Sequence, residues 1–178
     1  MKILLAEDDE DIAMVYKLAL GDRGHTVVHT TNGEDCLEEY HEELRTVTLQ
    51  YDPTEHVQPF DVVILDYNMP KMNGLEVAKE ILAVNPHQRI IFASAYLEET
   101  LIDSIRQLNQ IVEMLKKPFG EQELMDAVED KSIYSELRKL NLNIDEIKDA
   151  NFRHEQLRDL LDVLKRSKRR ERDEEDKT

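Results

Sequence analysis

Five short apolar runs, each followed by a stretch with helical spacing, constrain this chain more than any other feature. They are KILLA (2–6), HTVVHT (25–30), DVVIL (61–65), RIIFA (89–93) and VEML (112–115). Such runs are the length of buried strands. The segments between them place apolar residues three and four apart, as with Ile12, Val15, Tyr16 and Leu20, or Leu75, Val77, Ala78, Ile81 and Leu82. Strand–helix alternation of this kind predicts an α/β fold, one parallel sheet with helices on both faces and right-handed crossovers. Sheets of that type bind ligands beyond the carboxyl ends of their strands.

That rule sorts the polar residues. Glu7, Asp8 and Asp9 follow the first run, Asp66 the third, Ser94 the fourth, and Lys116, Lys117 and Pro118 the fifth. Each has an ordinary explanation taken alone. Asp9 to Asp11 read as the N-cap and first turn of a helix, Ser94 as a packed small residue, and Lys117 as a solvated charge. Their convergence on one sheet edge points instead to one site. In VVILDYNMPKMNG (62–74) a core strand ends in a carboxylate, where desolvation is costly, and Pro70 and Gly74 turn the chain at once. Carboxylates from neighbouring strands, with no His or Cys beside them, form a hard oxygen site suited to Mg²⁺. Such a cation would offset the repulsion among Glu7, Asp8 and Asp66 and keep Asp66 ionised and nucleophilic. Phosphoryl transfer also needs positive charge on the phosphoryl oxygens, which Lys117 can share with the metal. Ser94 can hydrogen-bond one of those oxygens.

Charge narrows the function classes. The chain of 178 residues carries a net −16. Residues 1–128 hold 25 Asp/Glu against 10 Lys/Arg, a net −15, whereas residues 129–178 hold 14 against 13. The acidic part is a poor partner for nucleic acid or an anionic membrane. MKILLAEDDE lacks the long apolar core of a secretory signal, and no apolar stretch nears the ~20 residues of a membrane span. With Cys36 as the single cysteine there is no internal disulfide, which fits a cytoplasmic setting. His41 and His56 show no metal-ligand spacing and read as surface residues.

These pieces resemble, across residues 1–128, the receiver domain of two-component response regulators. LLAEDDE matches the acidic pocket, ILDYNMPKMNG the phosphoacceptor loop, ASAY the switch hydroxyl and KKPF the Lys-Pro pair. The resemblance implies a flavodoxin-like (βα)5 fold with strand order 2-1-3-4-5. It implies that Asp66 takes phosphate from a sensor histidine kinase or phosphotransfer protein. Mg²⁺ would be held by Asp8, Asp66 and the main-chain carbonyl of Asn68, with Glu7 supporting through water. Ser94 would be the switch hydroxyl, Lys117 the phosphate partner, and Lys117–Pro118 a cis bond. Two departures stand out. Met114 occupies the place, three residues before the Lys, where many receivers carry an aromatic switch residue. LNQIV precedes the fifth run in place of the usual Gly-Ala. Tyr96, two residues past the switch hydroxyl, is expected to border and shield the acyl phosphate.

Two other readings compete. A Mg²⁺-dependent phosphatase of the haloacid dehalogenase type also uses an Asp nucleophile, but needs a second Asp two residues on, where this chain has Asn68. A degenerate receiver acting only as a binding module is opposed by the complete set Asp8, Asp66, Ser94 and Lys117. The chain is therefore expected to be a phosphoacceptor with self-phosphorylation and self-dephosphorylation chemistry only, not an enzyme acting on other substrates.

Two segments lie outside the ordinary pattern. A long connection around 44–59 carries Asp52-Pro53 and Gln58-Pro59 and reads as loop or an extended helix end. Residues 129–178 read as a helical extension, coiled-coil-like in its repeat, with NIDE (143–146) as a capping box. Ile147, Ala150, Leu157, Leu161 and Leu164 form its apolar seam, with Ile144 and Leu160 widening it and His154 at the missing step. Self-association of this seam, giving a homodimer, is the favoured expectation, and packing back on the receiver, or against the shorter helical pattern KSIYSELRKLN (131–141), the rival. The basic run KRSKRRER (165–172) reads as a solvated, frayed end. DNA binding is not expected, since the run lacks aromatics and a helix-turn-helix.

Overall fold

The computed structural model describes residues 1–50, 58–95, 104–105, 108, 112–130, 136 and 154–175. Five parallel strands form one sheet in the order β2-β1-β3-β4-β5. They are β1 (Lys2–Ala6), β2 (Thr26–Thr30), β3 (Val62–Asp66), β4 (Ile90–Ser94) and β5 (Glu113–Lys116). The helices are α1 (Glu10–Asp22), α2 (Gly33–Gln50), α3 (Gly74–Val84), α4 (Glu121–Glu129) and α5 (His154–Glu175). The order is the one the resemblance implies. Strands β2 to β5 begin one residue later than their apolar runs, so Asp66 and Ser94 are themselves the last residues of β3 and β4.

Strand alternation divides the core into two layers. Ile3, Leu5, Val62, Ile64, Ile91 and Ala93 face α1 and α4, burying Leu20, Leu124 and Val128 among others. Leu4, Ala6, Val63, Leu65, Ile90 and Phe92 face α2 and α3, burying Tyr40, Val77 and Ile81. Because the central strands are buried on both faces, they read as continuous apolar runs rather than as alternating ones.

The connection after residue 43 is partly helical. α2 continues to Gln50, with the Thr46 and Thr48 hydroxyls donating to carbonyls four residues back. Residues 44–50 are thus the extended helix end, and 51–57, with His56, lie outside the described residues. His41 is half-buried, its ring edge-on to Tyr40 at 6.3 Å, and so is not a plain surface residue. Cys36 is buried, and burial pushes its thiol up to about 12.

α5 departs most from expectation. Leu157 and Leu161 are buried within the chain, 0 % and 5 % exposed, in the layer that holds Phe92, Val112 and Met114. Leu160 and Leu164 pack partly against the same layer. The two buried leucines contribute roughly 1.5–3 kcal/mol each by area. Leu157 and Leu161 of the seam expected to form a homodimer are therefore covered by the chain's own core. Arg158 pairs with Asp130 at 3.0 Å, and Lys165 with Glu136. The helix runs through the basic segment to Glu175 instead of fraying at KRSKRRER, as its Arg, Lys and Glu residues favour helix. NIDE, Ile144, Ile147 and Ala150 lie outside the described residues.

Candidate functional site

The parallel ladder brings the predicted residues to one edge. Ala6 pairs with Leu65, Asp66 with Ala93, and Ser94 with Lys116. Glu7 and Asp8 leave β1, Asp66 ends β3, Ser94 ends β4, and Lys117 follows β5. Glu7, Asp8 and Asp66 offer carboxylate oxygens all within 4.8 Å of one another. Lys117 Nζ lies 2.5 Å from Glu7 Oε2 and 3.2 Å from Asp66 Oδ2. Two of the three carboxylates thus share one ammonium. Burial pushes the Glu7 carboxyl above its ordinary value and the Asp66 charge adds to this, while the hydrogen bond and charge of Lys117 pull it back. The Tyr16 phenol is also pushed up, by burial first and then by Glu7, Asp66 and Asp9.

Local structure explains why these groups hold their places. Asp9 is the N-cap of α1, accepting from the amides of Asp11 and Ile12 at 3.0 and 3.1 Å. It therefore serves the helix rather than the pocket, as its position suggests. After Asp66 the chain turns through an exposed Asn68 and a Lys71 at φ 66°. Asn73 and Glu76 then form a reciprocal capping box that starts α3, both bonds 3.0 Å. Gly74 sits so close to the strand end that a Cβ there would lie 2.2 Å from the Asp66 carbonyl oxygen. Ser94 is buried and its carbonyl accepts from the Lys117 amide at 2.8 Å, which ties the β4 end to the Lys117 loop. The Lys117–Pro118 bond is cis, as the resemblance implies.

Met114 is buried and pairs in register with Phe92, so it belongs to the core beneath the edge. Tyr96 lies outside the described residues. Three residues that sequence reasoning passed over also support the site. His29 Nε2 is 2.9 Å from the Glu7 carbonyl oxygen; a carbonyl only accepts, so this nitrogen carries the proton. Gly33 lies where a Cβ would be 2.3 Å from the Met72 carbonyl oxygen, which seats the Asp66 loop on the start of α2. Lys71 reaches Asp35 and Glu34 at 3.2 and 3.5 Å across the same contact. His29 carries a faint signal, as an imidazole near the carboxyl end of an apolar run. Gly33 and Asp35 carry none, since their role depends on how far apart β2 and β3 set their loops.

A family model described as the response regulator receiver domain matches residues 3–129. The chain belongs to that family. Among relatives, the response regulator receiver protein CpdR of Brucella abortus is 29% identical over 128 residues, covering 72% of this chain and 93% of that one. The chemotaxis protein CheY of Thermotoga maritima is 27% identical over 129 residues, with 71% and 93% covered. A receiver domain structure from Clostridium thermocellum superposes with a TM-score of 0.58 at 25% identity, covering 79% of this chain and 98% of that one. The protein is a response-regulator receiver with an added C-terminal helix. Receivers generally bind Mg²⁺, and the all-oxygen set of Glu7, Asp8 and Asp66 fits a hard divalent ion. Among the described residues, no helix is long and apolar enough to cross a membrane.

Proposed function

We propose that Asp66 accepts a phosphoryl group from a phosphohistidine on a sensor kinase or phosphotransfer protein, and that the modified receiver signals through protein contacts. The observation that carries this reading is the charge imbalance at the edge, three carboxylates against one lysine. A Asp66 Oδ attacks phosphorus, the phosphorus–nitrogen bond to the donor imidazole breaks, and the imidazole leaves with a proton from water. The product is an acyl phosphate on Asp66. Asp8, Asp66 and the Asn68 carbonyl would hold Mg²⁺, with Glu7 through water, and the ion would neutralise charge on the phosphoryl oxygens. Lys117 stands 3.2 Å from Asp66 and can move from the carboxylate to a phosphoryl oxygen, while Ser94 can donate to another.

The donor has a surface beside the site. Val15, Leu18, Ala19, Phe119 and Leu124 line a cleft of about 270 Å³ between α1 and α4, next to the Lys117–Pro118 bond. Val15 and Leu18 are more than half exposed there, apolar surface on an otherwise acidic domain. The phosphatase reading is not favoured, since Asn68 cannot serve as general acid. We further read the protein as cytoplasmic and without turnover on free phosphate esters.

The test is intact mass after incubation with acetyl phosphate. One phosphoryl group should appear with Mg²⁺, disappear with EDTA, and be absent in Asp66→Asn. Undiminished modification of Asp66→Asn would refute the assignment.

A further inference from the structure

We propose that α5 is a ligand of its own receiver: its leucine stripe occupies an interaction surface over β4 and β5, and a phosphoryl group at Asp66 weakens that docking. The inference rests on the Asp66 reading above and adds its regulation. Leu157 and Leu161, one helical turn apart, are buried in the layer that contains Phe92, Val112 and Met114. Val163 on the same helix is 57 % exposed, so the contact is one-sided and the helix is not a core element surrounded by protein. Arg158 pairs with Asp130, the C-cap of α4, and this ties α5 to the end of the last receiver helix. Two buried leucines and an exposed ion pair make a contact that can open without unfolding the sheet.

The route to the site is short and made of backbone. Phe92 pairs with Met114 in the β4–β5 register, and Ser94 with Lys116. The Lys117 amide donates to the Ser94 carbonyl at 2.8 Å. Phe92 is thus two residues from the hydroxyl, and Met114 three from the ammonium, that must turn to meet a phosphoryl group. Lys117 is held in the resting protein by Glu7 and Asp66. Recruiting it and Ser94 shifts the ends of the two strands whose side chains share a layer with Leu157 and Leu161. A packed layer responds by exchanging one arrangement for another. Coupling of this sort is reciprocal: if the phosphoryl group weakens docking, docking must weaken binding at Asp66 by the same factor.

The test uses the full chain and beryllofluoride with saturating Mg²⁺, its binding followed by ¹⁹F NMR. Replacing Leu157→Asp together with Leu161→Asp undocks α5 by placing charge at buried positions. Val163→Asp adds the same charge on the exposed face and serves as control. The paired variant should bind beryllofluoride about fivefold tighter or more, within the usual range of coupling between sites. The control should match wild type. Independently of any variant, peptides within 154–166 of the wild-type chain should exchange amide hydrogens faster once beryllofluoride is bound. Equal or weaker binding by the paired variant, or unchanged exchange in the wild type, would overturn the inference. So would a wild-type dimer in sedimentation that the paired variant abolishes, since α5 would then pack on a second copy. Failure of beryllofluoride to bind any of the proteins would overturn the Asp66 reading with it.

Discussion

At the amino end of the sheet, Arg89 and Glu113 lie side by side at the starts of β4 and β5, 3.5 Å apart and both buried. Arg89 also donates to the Val128 carbonyl at 2.7 Å and to the Ala127 carbonyl, both in the last turn of α4. At the carboxyl end of the same sheet, Glu7, Asp8 and Asp66 cluster, and among the described residues Lys117 pairs with two of them, Glu7 and Asp66. In the first arrangement each described charge faces an opposite one, with helix carbonyls as further acceptors. The second carries an excess of negative charge that no described side chain answers. A buried charge that is matched within the protein holds the fold together, whereas one left unmatched waits for a ligand.

The largest effect should come from unbalancing the balanced end. Arg89→Met removes the guanidinium that faces the buried Glu113 carboxylate and should cost stability in urea unfolding, up to about 3–5 kcal/mol. Adding Glu113→Leu should recover much of that loss, since a matched apolar pair replaces a matched ionic one. A cost below about 1 kcal/mol for the single variant would dissolve the distinction between the two ends.

Substitution at the other end should act in the opposite direction, and less strongly. In EDTA, Asp66→Asn removes a like charge and should raise stability by about 1 kcal/mol. Mg²⁺ at a hundredfold excess over its dissociation constant should stabilise wild type by about 2.7 kcal/mol. Asp66→Asn should gain distinctly less. Equal gains from Mg²⁺ in the two proteins would contradict an ion held by Asp66.

The smallest effect belongs to exposed pairs. Arg23 holds the Glu129 carboxyl below the ordinary glutamate value of 4.5, chiefly through its hydrogen bond and with His25 adding to it. A depressed carboxyl contributes stability above its unfolded value, and that contribution is lost as pH falls through the depressed one. Arg23→Ala should therefore lower the unfolding midpoint slightly at neutral pH, with the difference closing in acid. A difference that widens in acid would reverse the assignment.

Much of the site was legible because each residue sits at a strand end, and strand ends are marked by where an apolar run stops. Asp66, Ser94 and Lys117 needed only that rule. His29 and Gly33 were not legible, because their roles depend on distances between loops that share no sequence neighbourhood. Arg89 and Glu113 were taken into the strand runs without remark, since their pairing depends on strand register. The tail illustrates a different limit. Its leucine spacing shows that a face must be covered, but periodicity is the same whether the cover is a second copy or the chain's own sheet. What periodicity lacks is the position of Leu157 and Leu161, which lie within the chain's own core.

The central claim is that Asp66 itself becomes the acyl phosphate. Borohydride reduces an acyl phosphate to the alcohol, converting the modified aspartate to homoserine in a form that peptide mass spectrometry can place in the sequence. After phosphorylation with acetyl phosphate and Mg²⁺, the account predicts homoserine at Asp66 and an unaltered Asp8. Homoserine at Asp8 instead, or none anywhere in a protein that has gained a phosphoryl group, would contradict it.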